Sequence, residues 1–148
     1  MKNNLEKILG ENLASRFATD AGTVMHKKLE QIFFLPSGAT GDQDLCDKLS
    51  KNPELMEFMG ALSKTEVPIA GIINGHFVSR RIDRLYVSDD TKRIVVIDYK
   101  TDTDKNVFYD QYVAQLTEYR DLLKQAFPGY NISCKILWTC DFTLENVI

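Results

Sequence analysis

The sequence predicts an α/β domain with a mixed central sheet, and three observations carry that prediction. Over the first sixty residues apolar side chains recur at helical spacing. Near residue 61 the pattern changes to β-branched and aromatic runs that read as three strands. An amphipathic stretch over 107–127 and an apolar run over 132–139 then supply a helix and a last strand. The 148 residues are one domain's worth of chain.

Each element has its own signal. Leu5, Ile8, Leu9, Leu13 and Phe17 form one helical stripe. Thr19 or Asp20 suits the cap of a second helix, through Val24, Met25, Leu29, Ile32 and Phe33, that stops before Pro36. Gly38 and Gly41 place a turn-rich loop over 37–42. Short helices follow at about 43–50 and 53–60, the second opening with Pro53 in its first turn. Residues 64–70 read as a strand whose Pro68, unable to donate to a ladder, suggests a sheet edge or a strand end. Strands over 76–87 and 93–100 flank the turn cluster Ser88-Asp89-Asp90-Thr91. Tyr112, Leu116, Tyr119, Leu123 and Ala126 form the stripe of the long helix, which Pro128-Gly129 ends.

Composition narrows the function class. With 44% apolar and 26% charged residues the chain is built to fold, not to stay disordered. No apolar run approaches the ~20 residues that cross a bilayer, and the start lacks an apolar signal core, so a soluble cytoplasmic protein is expected. Cys46, Cys134 and Cys140 are too few for a four-cysteine cluster and are expected as buried thiols. A net charge of −3 argues against holding nucleic acid by bulk electrostatics alone.

The segment richest in chemistry is Arg81-Ile82-Asp83-Arg84-Leu85 with Val96-Ile97-Asp98-Tyr99-Lys100. Strand alternation puts Asp98 and Lys100 on one face. A hairpin turn between Asp90 and Thr91 pairs Leu85 with Val96 and Val87 with Ile94, and sets Asp83 opposite Asp98. Opposed carboxylates repel, so a partly buried pair needs protonation, a cationic neighbour or a metal. Hard divalent cations suit carboxylate oxygens and meet phosphates, and a lysine alongside offsets charge on a phosphoryl transition state. The alternative on these residues alone is an ordinary Asp98–Lys100 ion pair, with Asp83 paired to Arg81 or Arg84.

These residues resemble a known family. Ile82-Asp83-Arg84-Leu85 and Val96-Ile97-Asp98-Tyr99-Lys100-Thr101 are similar to the "DRL … DYKT" core of the RecB-type branch of PD-(D/E)XK nucleases. Gln115 to Tyr119 resembles its "QxxxY" motif, Gly22 to Glu30 its "GxxxHxxLE" helix, and Glu66-Val67-Pro68-Ile69 its intervening strand. The ordered set spans roughly 20–140. The stretch from Tyr119 to Thr139 is similar to the C-terminal nuclease domain of AddA-type subunits of bacterial AddAB helicase–nucleases. Arg80 stands where the family usually has glycine.

The resemblance implies a restriction-endonuclease-like PD-(D/E)XK core, αβββαβ, with a central mixed sheet flanked by helices. It implies one nuclease domain over 1–148, helical to about 60 and catalytic over about 61–148, at the C-terminus of a larger helicase–nuclease. It implies metal-dependent hydrolysis of single-stranded DNA ends in recombinational double-strand-break repair. Asp83 and Asp98 would bind metal with His26 and the Tyr99 carbonyl, and Lys100 would position the attacking water. Gln115 and Tyr119 would line the site and touch DNA, while Arg84 and Thr101 would meet phosphate. Mg²⁺ is the implied cofactor, with Mn²⁺ able to substitute and no iron–sulfur cluster. The implied partners are DNA, the helicase domain of the parent chain and an AddB-type subunit, with no membrane. The rival readings are a standalone nuclease of CRISPR-associated or resolvase type, and a silent binding module of the same fold.

Overall fold

The computed structural model describes residues 22–148. The stripe predicted over 5–17 and the caps at Thr19 or Asp20 lie outside the described residues. Helix α1 covers 22–30, followed by a two-stranded ribbon, β1 (Phe34–Leu35) and β2 (Gly38–Ala39). Helices α2 (Gln43–Leu49) and α3 (Pro53–Phe58) come next. The sheet then forms from β3 (Ser63–Ile73), β4 (His76–Ser88) and β5 (Arg93–Lys100). Helix α4 (Tyr109–Ala126) crosses to β6 (Asn131–Trp138), and β7 (Thr143–Asn146) closes the chain.

Local chemistry accounts for the short helices. The Asp42 carboxylate accepts from the Leu45 amide at 2.9 Å and starts α2. The Asn52 side chain accepts from the Glu54 amide at 3.0 Å, with Pro53 pre-set for the first turn of α3. Helix α1 ends at 30, short of Pro36, because Phe34 already donates to the Met59 carbonyl at 2.9 Å in an extended conformation.

The five strands run in the order β3-β4-β5-β6-β7, mixed because β5 and β6 are parallel while the other pairs are antiparallel. β5 is central and buried along Ile94–Tyr99, as a strand covered on both faces must be. One face packs Tyr86, Val95, Ile97, Tyr99 and Leu137 against α1, α2 and α3. The other packs Ile82, Val96, Ile136 and Trp138 against Leu116, Tyr119 and Leu123 of α4. Each large side chain so buried contributes about 2 kcal/mol. β3 is an edge strand, as Pro68 predicted.

Cys46 and Cys134 are buried, whereas Cys140 is exposed, contrary to the expectation of three buried thiols. Among the described residues no helix is long and apolar enough to cross a membrane.

The β3–β4 hairpin turns on Asn74-Gly75, with φ of 51° and 79° between the paired Ile73 and His76. Two positive φ angles in a two-residue loop match the twist of the strands, and Asn-Gly supplies them at low cost. A Cβ on Gly75 would meet nothing within 4 Å, so its φ alone sets the penalty. Gly75→Ala is therefore expected to cost about 1–2 kcal/mol. Urea denaturation measures it, and an unchanged midpoint would mean the turn relaxes at no cost.

Candidate active site

The site exists because two ladders open at one residue. β4 pairs with β5 through Leu85↔Val96 and Val87↔Ile94 in the predicted register, but the ladder ends at Arg84↔Ile97. β4 pairs with β3 on both sides of Asp83, yet Asp83 and the facing Glu66 are skipped. Glu66 has φ of 53°, a left-handed angle in mid-strand that stores strain. The two strands change face there. Arg84 and Tyr86 point toward α1, while Ile82 on the other side of Asp83 packs toward α4.

Side chains take over the freed backbone groups. The Tyr99 amide donates to the Asp83 carboxylate at 2.9 Å, and the Tyr99 carbonyl accepts from His26 Nε2 at 3.0 Å. His26 Nδ1 lies 3.9 Å from Asp83 Oδ1, so α1 and β4 meet over the end of β5. Burial, then the charge of Asp98, drives the Asp83 carboxyl well above the usual carboxylate range, against the pull of the Tyr99 amide.

On the α4 side, Asp98 and Lys100 share a face as alternation requires, with Lys100 Nζ 2.8 Å from Asp98 Oδ2. Asp98 is 3% exposed. Among the described residues its Oδ2 accepts no aligned hydrogen bond, so the lysine contact is a charge contact out of hydrogen-bond alignment. Lys100 donates instead to Gln115 Oε1 at 3.0 Å, Gln115 Nε2 donates to Tyr119 Oη at 2.9 Å, and Tyr119 donates to the Arg81 carbonyl at 3.3 Å. Gln115 and Tyr119, one turn apart on α4, thus join Lys100 to β4 in one chain. Burial raises the Tyr119 hydroxyl far out of the physiological range and keeps it a donor.

Arg84 is corrected. It was expected to meet phosphate, but it is 0% exposed and its donors are committed. It donates to Tyr99 Oη at 2.8 Å, to Ser63 Oγ at 2.8 Å, and to the carbonyls of Leu29 and Ile32 at 2.9 and 2.7 Å. It also lies over the Phe33 ring at 4.7 Å. Its role is to fasten the end of α1, and hence His26, to the sheet. Arg84 pairs with Ile97 and so faces α1, while Asp98 and Lys100 face α4. Thr101 is exposed beside Gly22 of α1.

Sequence reasoning missed Tyr112, whose ring lies 4.3 Å from Lys100 Nζ and whose hydroxyl donates to Asp102 at 2.7 Å. It had been assigned to the apolar stripe, and periodicity cannot separate the two roles. It also missed Lys27 and Arg81, which line the site with Glu66, a carboxylate that could extend the acidic cluster but is left out of the ligand set. With Thr23, His26, Glu30 and Asp83 they surround a cavity of about 490 Å³. A concavity of similar size, about 480 Å³, lies between Leu62 and Phe127 and is lined by neither His26 nor Asp83.

The donors can be tested against a divalent cation. Among the described residues no three His, Cys, Asp or Glu side chains close around one point. The set needs the Tyr99 carbonyl, and Lys100 must yield Asp98 Oδ2. Two features fit. Asp98 Oδ2 is a buried acceptor without a hydrogen bond. His26 Nε2 and the Tyr99 oxygen are 3.0 Å apart, about the spacing of neighbouring corners of an octahedron with ~2.1 Å bonds. The residues present suit a hard cation such as Mg²⁺ or Mn²⁺.

A raised acid makes metal-free stability pH-dependent. The folded state holds the Asp83 proton above the ordinary value of 3.8, so the unfolded state binds fewer protons there. This contribution is therefore present below that value and is lost as pH rises toward the folded-state value. In chelator, wild-type stability should fall more steeply between pH 5 and 8 than that of Asp83→Asn. Parallel melting profiles would show that Asp83 is not the group responsible.

No family model matches this chain, and no curated protein matches it. Among solved structures, the crystal structure of a "Putative exonuclease" from Eubacterium rectale matches with a TM-score of 0.51 at 17% identity. The match covers 95% of this chain and 58% of that one. This shows a fold shared with that protein. The chain spans little more than half of that neighbour's length.

Proposed function

We propose that this domain is a metal-dependent deoxyribonuclease of the PD-(D/E)XK type that hydrolyses phosphodiester bonds in single-stranded DNA. The observation that carries the reading is the meeting of Asp83, Asp98 and Lys100 where the ladders open, with the buried Asp98 Oδ2 lacking a hydrogen bond. The exonuclease-named neighbour of like fold supports it. Asp83, Asp98, the Tyr99 carbonyl and His26 would hold the cation, Mg²⁺ or Mn²⁺. When bound, it would acidify water and neutralise charge on the scissile phosphate.

The chain's own residues do the rest. Lys100, held by Gln115 and steadied by the Tyr112 ring, keeps an ammonium beside the acids, where it can orient water and offset charge on the pentavalent phosphate. Gln115 and Tyr119 keep that ammonium from swinging to solvent. Resemblance alone extends the reading to recombinational repair as the C-terminal domain of an AddAB-type enzyme, with a helicase domain and an AddB-type subunit as partners and a bacterial cytoplasmic setting.

The test is cleavage of end-labelled linear single-stranded DNA with Mg²⁺ or Mn²⁺, comparing wild type with Asp98→Ala. Metal-dependent cutting that vanishes in the variant is the expected result. No cutting by either, with calorimetry showing no metal uptake, would leave a silent module of this fold.

A further inference from the structure

We propose that the uncovered face of the β3–β4 arm is the track by which a single polynucleotide strand reaches Asp83. Lys27 and Arg81 hold its phosphates, and Phe77 stacks a base. The proposal rests on the nuclease reading and adds the surface that takes the substrate.

Among the described residues, the arm beyond Asp83 has one face engaged and one free. Val67, Ile69 and Ile82 pack on the α4 side, and Arg80 bridges to Glu118 of α4 at 3.1 Å. A Cβ on Gly71 would meet Leu122 at 2.9 Å. The Gln125 amide donates to the Ile72 carbonyl at 2.7 Å, so α4 also grips the edge of the arm. The change of face at Asp83 therefore turns Arg81, Ser79 and Phe77, with their cross-strand partners Pro68, Ala70 and Ile72, the other way. All six are exposed. This strip runs without a break into the cavity, where Arg81 and Lys27 stand beside His26 and Asp83.

The chemistry of the strip matches a polynucleotide. The floor of the site is acidic, so a phosphate approaching it needs cations at the rim, and Arg84 is buried out of reach. The Arg81 side chain is 70% exposed, and its 3.6 Å contact with Glu66 is of a kind worth little in water. A guanidinium freed from such a contact presents a fork to phosphate oxygens. Phe77 is 71% exposed next to Ile72, an apolar pair that stacking on a base would cover. It stands six residues from Asp83, about 20 Å along the strand. A second copy pairing along β3 is disfavoured because Pro68 and Gln125 blunt that edge.

The experiment is a salt titration of binding to labelled oligodeoxythymidine in chelator, read by anisotropy, with cleavage of the same strand in Mg²⁺ measured alongside. Arg81→Gln and Lys27→Gln should each weaken binding several-fold and flatten the plot of log affinity against log salt by about 0.7. Phe77→Ala should weaken it about 10-fold with no change of slope. Arg80→Gln, facing α4, should leave the slope unaltered. Circular dichroism confirms that each variant is folded. If wild type cleaves but Arg81→Gln and Phe77→Ala bind as it does, the track is wrong and the nuclease reading stands. If wild type neither binds nor cleaves, both fall. A Phe77→Ala change that only turns a sedimenting dimer into a monomer would make the arm a self-association surface and overturn the track.

Discussion

Arg84→Met is expected to lower the stability of this domain by about 3–5 kcal/mol, from several stranded acceptors together, the largest single effect predicted for a residue remote from the chemistry. Among the described residues the guanidinium has no carboxylate partner. It is balanced instead by two hydroxyls, two carbonyls and the face of Phe33. Removing it strands buried acceptors, and a buried polar group left unpaired costs about 1–3 kcal/mol. Burial outweighs the pull of Arg84 and takes the Tyr99 phenol up to about 12, so Tyr99 meets Arg84 as a neutral hydroxyl. Arg84→Lys should not rescue, because one ammonium cannot reach from Tyr99 to Ser63 and the end of α1 together. Urea denaturation reads the loss. Cleavage should fall as well, since His26 sits on the helix that Arg84 holds. A stability loss below about 1 kcal/mol, with a weaker salt dependence of DNA binding in the folded protein, would return Arg84 to the phosphate-binding role first expected of it.

That reversal shows what could be read from the chain and what could not. The β4–β5 register was legible because apolar residues face one another across a turn cluster, and Leu85↔Val96 and Val87↔Ile94 follow. Asp98, Lys100, Gln115 and Tyr119 meet as expected because both spacings involved, two along a strand and four along a helix, are geometric constants of regular structure. Arg84 was misplaced because the resemblance assigns it by position beside the acids, whereas pairing with Ile97 turns it toward α1; the change of face at Asp83, where Glu66 adopts φ of 53°, was not legible either. Nothing in local propensity announces a left-handed glutamate in a strand; its angle is set by the tertiary setting. β1, β2 and β7 escaped because strands of two or four residues carry too little alternation to detect. The Asn74-Gly75 turn was present as a strong local signal and lengthens the strands on either side of it beyond the expected bounds.

Lys100→Met should reduce cleavage about 10²–10³-fold while leaving divalent-cation binding intact or tighter, and the opposite directions are what make the variant informative. In the proposed reaction the lysine would act on the transition state through an ammonium held by Gln115 and the Tyr112 ring, and losing one preorganised donor of this kind costs that much in rate. The same ammonium lies 2.8 Å from Asp98 Oδ2, where it competes with any cation for a nearly buried carboxylate. Removing it leaves Asp98 without its counter-charge, so the metal-free protein should lose about 3 kcal/mol. A cation would then recover more free energy on binding than it does in wild type. Gln115→Ala should give a smaller rate loss, about 10-fold, because Lys100 keeps Asp98 and Tyr112. Calorimetry with Mn²⁺, denaturation in chelator and single-turnover cleavage separate the three effects. If Lys100→Met lost metal binding along with cleavage, the lysine would be organising the acid pair and not acting on the phosphate. If it lost neither, the acid pair alone would have to account for hydrolysis.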